Sequence, residues 1–175
     1  MEISSETVAA GQAPTLPAAA AVHHADEVSQ YLTFTLGPEE YGIELLKVQE
    51  IRGYSAITPI PNTPSHVKGV MNLRGTVIPV VDLRSRFGLE TVEYTKFTVI
   101  IVASVGEKIV GIVVDAVSDV LTVSRGNIRA TPDFGVRAAT RFITGLTTVG
   151  DHLAVLLDIE KLVSSDELAA LEPAD

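Results

Sequence analysis

Two shifts lay this sequence upon itself, and that internal repetition limits the fold more than any other feature. Moved by 69 positions, Leu32-Thr33-Phe34-Thr35-Leu36-Gly37 falls on Ile101-Val102-Ala103-Ser104-Val105-Gly106. Without a gap, Tyr41-Gly42-Ile43 then falls on Val110-Gly111-Ile112, and Val48 and Ile51 fall on Val117 and Val120. Moved by 76, Val67 to Val70 meets Ile143 to Leu146, and Val77 to Leu83 meets Leu153 to Ile159, with Asp82 on Asp158. The change of offset puts a few extra residues into the second copy between Pro61 and Ile143. Coinciding glycines (Gly37 with Gly106, Gly42 with Gly111, Gly69 with Gly145) argue against a chance match of aliphatic strands. Each unit has roughly 60 to 70 residues, a size that is marginal alone, so the two are expected to dock and share apolar surface.

Within each unit the pattern is strand and turn. In the first, Gln30–Leu36 and Tyr41–Ile43 flank a turn, Leu46–Arg52 reads as a short helical turn, and Ala56–Ile60 reads as a strand. A hairpin, Gly69–Leu73 with Thr76–Leu83, closes the unit around Arg74-Gly75. The second repeats this with Lys96–Val105, Lys108–Val113, a turn near Ala116–Val120, and a closing hairpin of Thr144–Val149 with Leu153–Ile159. Val, Ile and Leu dominate the 46% hydrophobic fraction and aromatics make up only 5%, which suits strands packed by aliphatic side chains. Five or so short strands with no room for long helices suggest a small barrel per unit, since closure removes unpaired edges. The expected organisation is a disordered tail over residues 1–29, a first barrel over 30–90, a second over 91–163, and a C-terminal helix and end over 164–175. The tail is rich in Ala, Pro, Ser and Thr and lacks periodicity, so it buries too little to offset its ordering entropy. Ser164-Ser165-Asp166-Glu167 offers an N-cap and acids for a helix to Leu171.

The formal net charge is -9, from 22 acidic and 13 basic residues, which argues against nucleic acid and anionic membranes as partners. There is no Cys, so thiolate nucleophiles, disulfides and Cys-based zinc sites drop out, and a reducing cytoplasmic setting fits. The N-terminal segment carries no Lys or Arg before Lys47, unlike a secretory signal. The greasiest run, Phe97–Val105, is too short to span a bilayer.

Reactive constellations are not evident either. His23, His24, His66 and His152 show no metal-ligand spacing. No Gly-x-Ser-x-Gly elbow, helix-starting Ser-x-x-Lys or phosphate loop is present. Among the carboxylates Asp82, Asp115, Asp119 and Asp158, the pair Asp82 and Asp158 occupies equivalent strand ends, as structural turn residues do. No catalytic residue, metal or cofactor is expected. A hydrolase on small barrels is the rival reading, and a deep pocket with converging carboxylates is its mark.

A duplicated barrel without a reactive set is expected to bind something large through its outer walls, and its departures from symmetry then carry information. The hairpin tip Arg74-Gly75 corresponds to Gly150-Asp151. Gly or Asn suits positive φ at such a tip, so Arg74 gives up local comfort for an exposed charged fork. Leu46–Arg52 is more charged than its counterpart Asp115–Leu121. Phe134 stands beside a turn, where an aromatic can anchor an interface.

These residues also resemble a known family. Glu39–Arg52, Gly69–Arg84, Val110–Val120 and Asp158–Leu162 are similar to CheW-type chemotaxis coupling proteins, and the block from Asn72-Leu73-Arg74-Gly75 to Asp82-Leu83-Arg84 is highly specific. The resemblance runs from about Tyr31 to the end. It implies a mainly β fold of two tandem SH3-like barrels packed together. It further implies a non-enzymatic adaptor between methyl-accepting chemoreceptors and the histidine kinase CheA, with other CheW copies as further partners, cytoplasmic and recruited to membrane-associated arrays. Val48, Glu50, Gly69 and Arg74 would face the receptor's helical tip. Gly69 would let a receptor helix approach the barrel backbone. Val99 and Phe134 would lie toward the kinase's own CheW-like domain. An adaptor of a parallel, non-flagellar pathway fits the same residues.

Overall fold

The protein's computed structural model describes residues 27–90, 92–131 and 142–163. Ten strands carry nearly all the regular structure: β1 (Val28–Leu36), β2 (Glu39–Glu44), β3 (Val48–Gly53), β4 (Val67–Leu73), β5 (Thr76–Asp82), β6 (Val99–Val105), β7 (Lys108–Val114), β8 (Ala116–Ser124), β9 (Ile143–Val149) and β10 (His152–Leu157). Two four-residue helices, α1 (Leu83–Arg86) and α2 (Ile159–Leu162), follow β5 and β10. The chain is mainly β, built as two five-stranded barrels.

Strand order within the barrels corrects the expected division at residues 90 and 91. Barrel I runs β8-β1-β2-β10-β9 and barrel II runs β3-β6-β7-β5-β4. Each barrel therefore takes two adjacent strands from one copy and three from the other. The exchange is joined by parallel pairs, β2 with β10 (Leu156 opposite Gly42) and β7 with β5 (Val80 opposite Gly111). Those two pairs coincide under the shifts of 69 and 76. Short connections explain the exchange: β2 passes to β3 through only the 3-10 turn Leu45–Lys47, which sends β3 out of its own sheet into the other.

The duplication extends to irregularities. β3 skips Gln49 between Val48 and Glu50 against β6, and β8 skips Ser118 at the matching place against β1. Lys68 in β4 and Thr144 in β9 are the extra residues of a second matched pair of bulges. Bulges bend a strand and raise its twist, which a closed sheet of five short strands needs at its corners.

Both copies end their last strand in the same cap. Asp82 accepts hydrogen bonds from Arg84 N (2.9 Å) and Ser85 N (3.4 Å), and Asp158 accepts them from Glu160 N (2.9 Å) and Lys161 N (3.4 Å). Asp82 is buried, and its second oxygen accepts from the Tyr94 hydroxyl at 3.0 Å. Tyr94, whose hydroxyl ionisation is pushed up by burial and by Asp82, packs at a tilt on Tyr54, 4.1 Å between ring centroids, and ties down the segment joining β5 to β6.

The largest apolar cluster lies between the barrels, as two marginal units require. It contains 17 buried residues, among them Leu32, Phe34 and Leu36 of β1 and Ile101, Ala103 and Val105 of β6, the same three positions of each copy. The interiors of barrels II and I hold 7 and 3. At about 1.5–3 kcal/mol for each large aliphatic side chain withdrawn from water, the seam between the barrels is the main source of stability.

Several local expectations need correction. Val28 and Ser29, assigned to the tail, belong to β1; residues 1–26 lie outside the described residues, as do the helix expected at 164–171 and Phe134. Val48–Arg52 is strand, not helical turn, and Ala116–Val120 is the start of β8. The strand expected at Ala56–Ile60 is reduced to one bridge, Thr58 to Val70.

Candidate functional site

β3 places its side chains by the bulge at Gln49. Val48, opposite Ala103, is half-buried against the shared core. Past the bulge, Glu50 and Arg52 turn to the other face, while Ile51 stays outside at 45% exposure.

Across the barrel, the β4–β5 hairpin carries Arg74 at its tip. Its φ is +50, and Gly75 follows at +89 with its N–H donated to Asn72 Oδ1 at 2.8 Å. A left-handed conformation costs a non-Gly residue about 1–2 kcal/mol, and the other copy avoids it with Gly150. The Arg74 guanidinium forms a two-pronged ion pair with the Glu50 carboxylate, which Arg52 also contacts at 3.3 Å. Arg74 above all holds the Glu50 carboxyl below the usual carboxylate range, against an opposing effect of burial and with a lesser contribution from Arg52. Arg74 itself stays 67% exposed, so its planar donors remain within reach of a partner's carboxylate or carbonyl.

Gly69 is placed differently from the expectation. It is buried at φ +141, and a Cβ there would stand 2.0 Å from the carbonyl oxygen of Thr58. The backbone it admits is the chain's own segment at Thr58–Pro59, not a helix from outside. Gly145 repeats the arrangement against Arg129 and Ile128. Of the other expected residues, Val99 is half-buried at the start of β6, beside Gly53 of β3. The structure thus joins Glu50 to Arg74, sets Val48 on the same strand, and withdraws Gly69 from the surface.

Apolar residues at polar phases of the strands were missed at the sequence level. Ile51, Val77 and Phe97 are exposed on barrel II, and Val120, Leu153 and Val28 on barrel I. The first three map onto the second three under the 69 and 76 shifts, so each barrel shows solvent the same apolar trio. The signal was available in the aligned copies: these positions stay apolar in both although the strand period points them outward. Leu46 breaks the match, being 96% exposed where the other copy has Asp115. Asp115 is engaged by Arg84 at 2.6 and 2.8 Å and by Gly37 N at 2.7 Å, and these contacts, led by Arg84, hold its carboxyl low.

Among the described residues no three His, Asp or Glu side chains come together as a metal would require, and no helix is long and apolar enough to cross a membrane. Among the described residues, a cleft of about 290 Å³ between β8 and β9 is lined by Thr122, Asn127, Arg129, Thr147 and Thr148, while one of about 400 Å³ beside the β1–β2 turn is lined by Glu39, Glu90 and Arg84, the last paired with Asp115. Asp82, Asp115 and Asp158 are occupied by caps and ion pairs rather than aimed into a cavity.

Two barrels with a shared core, repeated exposed apolar positions and one unmatched arginine tip suit a docking module. Comparison with known proteins gives the family. Residues 30–167 match the CheW-like domain. The chain is 52% identical to the chemotaxis protein CheW of Klebsiella aerogenes over 143 residues, covering 82% of this chain and 86% of that one. It is 38% identical to that of Rhizobium meliloti over 151 residues, covering 86% and 97%. The crystal structure of the scaffolding protein TtCheW from Thermoanaerobacter tengcongensis superposes with a TM-score of 0.72 at 30% identity, covering 78% of this chain and 93% of that one. The chain belongs to the CheW family of chemotaxis scaffold proteins, whose paired SH3-like barrels it shares.

Proposed function

We propose that the chain is a non-catalytic coupling protein that joins the cytoplasmic tips of methyl-accepting chemoreceptors to the histidine kinase CheA, working in the cytoplasm at membrane-associated arrays. The observation that carries the reading is duplication with an unequal tip: the same apolar positions face outward on both barrels, while of the two tips only that of barrel II bears an arginine in a strained backbone. Equal scaffolds with unequal decoration suit an adaptor holding two different partners at once.

In this reading Val48 and Ile51 offer apolar contact to a receptor helix, and Arg74 supplies charge-assisted hydrogen bonds. Gly69 acts from inside, by letting β4 pack on Thr58–Pro59 so that the hairpin stands where it does. Val99 and Phe134 belong to the kinase-facing surface, and further CheW copies are candidate neighbours there.

Calorimetric titration of the full chain with a soluble receptor-tip fragment, and separately with the kinase regulatory domain, tests this. Arg74→Ala is expected to weaken the receptor fragment by about 2 kcal/mol, the cost of truncating a central anchor, and to leave kinase affinity unchanged. Its melting temperature should hardly move, because exposed ion pairs contribute little. Unchanged receptor binding, or equal loss toward both partners, contradicts the assignment.

A further inference from the structure

Each barrel leaves a hairpin tip overhanging its sheet, and each tip is tied back by one ion pair. In barrel II the tether is Arg74 to Glu50. In barrel I, β10 pairs with β2 only from Ala154 to Leu156, so Val149–Leu153 projects past that junction. His152 spans the gap, its Nε2 2.7 Å from Glu40 Oε1. The Glu40 side chain is only 12% exposed, while the imidazole is 51% exposed and open to proton exchange. Arginine keeps its charge at every physiological pH and histidine does not, so the two tethers differ in kind.

We propose that His152 is a pH-sensitive latch on the β9–β10 hairpin: charged, it ties the tip to Glu40 by an ion pair, and neutral, it keeps at most a hydrogen bond and lets the tip loosen from β2. The charged groups around it are Glu40 on β2 and Asp151 in the turn, 3.7 Å from Nδ1, while β9 places the uncharged Val149 opposite. Both carboxylates favour the imidazolium, with the Glu40 hydrogen bond the largest influence. The latch is closed on the acid side and opens as pH rises through the raised value. Leu153, one of the exposed apolar residues of barrel I, sits next to His152, so release loosens its surroundings while the Arg74 tip stays fixed.

Amide hydrogen exchange of the full chain tests this, corrected for intrinsic rates and read at about pH 5.5 and about pH 8.5, either side of the ordinary imidazole range. Protection across Val149–Leu153 should drop on the alkaline side while that across Leu73–Thr76 holds. His152→Arg should keep the tip's protection the same at both values, and His152→Gln should hold it at the lower, alkaline level of the native tip at both. Glu40→Gln should move the His152 ring titration back toward its ordinary midpoint. Equal protection of the native tip at both pH values, a His152→Arg tip that opens like the native one, or a ring titration indifferent to Glu40→Gln overturns the latch. None of these readouts depends on which partners the adaptor holds.

Discussion

A methyl group on Gly69 has no room, since its carbon would overlap the carbonyl of Thr58, and the φ of +141 is one that side chains rarely adopt. Gly69→Ala should therefore cost about 3 kcal/mol or more in urea unfolding, through strain and a displaced strand. A loss of receptor binding in that variant is expected to track its unfolded fraction; weakened binding by a fully stable Gly69→Ala protein would return this glycine to the surface role. Arg74 is the opposite case, a strained residue kept where the duplicate has glycine. Arg74→Gly should be more stable than Arg74→Ala by about 1 kcal/mol, because only glycine is at ease at φ +50, while both lose the receptor contact equally. Chemical denaturation of the two variants checks the order, and a more stable alanine variant contradicts it. The left-handed backbone at Arg74 was readable from its alignment with Gly150. The true neighbour of Gly69 was not, because Thr58 lies in a segment whose pairing the sequence pattern misstates.

At the scale of elements, the matched caps make Asp82 and Asp158 structural. Asp158→Ala should cost about 1 kcal/mol, the usual value of an N-cap. Asp82→Ala should cost more, since the half-buried Tyr94 hydroxyl loses the Asp82 carboxylate as well; thermal melts that rank them the other way contradict this account. The ion pair between Arg84 and Asp115 joins α1 to the turn between β7 and β8, and it gives stability a pH dependence. The Asp115 carboxyl is held low in the fold, so its contribution is complete above the ordinary carboxylate value near ~4 and is lost as pH falls through the lower folded value. Replacing Arg84 with Met should remove roughly 2 kcal/mol at neutral pH and flatten the acid limb of the stability profile. An unaltered acid limb contradicts the assignment. Most strands were legible from period-2 patterning, but β3 was not. The bulge at Gln49 throws Val48 and Ile51 out of strict alternation, and Leu46, Gln49 and Glu50 are good helix formers. The same bulge interrupts Ala116–Val120, which explains the matching error in β8.

On the scale of the molecule, the repeat is visible in sequence while the exchange of strands is not. Strands of either copy carry the same pattern, so Leu156 fits beside Gly42 as readily as Val80 does, and only the short β2–β3 connection decides. Because each barrel borrows from both copies and the shared seam holds most of the core, the chain should unfold in one transition. Residues 27–90 and 92–163 made separately should each remain unfolded, and mixing them should restore β structure by circular dichroism; a half that folds alone contradicts the intertwined fold. In the proposed reading, such a body holds two different partners at once. The most direct measurement of that central idea is a titration of the receptor-tip fragment into the chain already saturated with the kinase regulatory domain. A ternary complex with near-unchanged receptor affinity, lost selectively in Arg74→Ala, is the predicted result. Mutually exclusive binding of the two partners would contradict it.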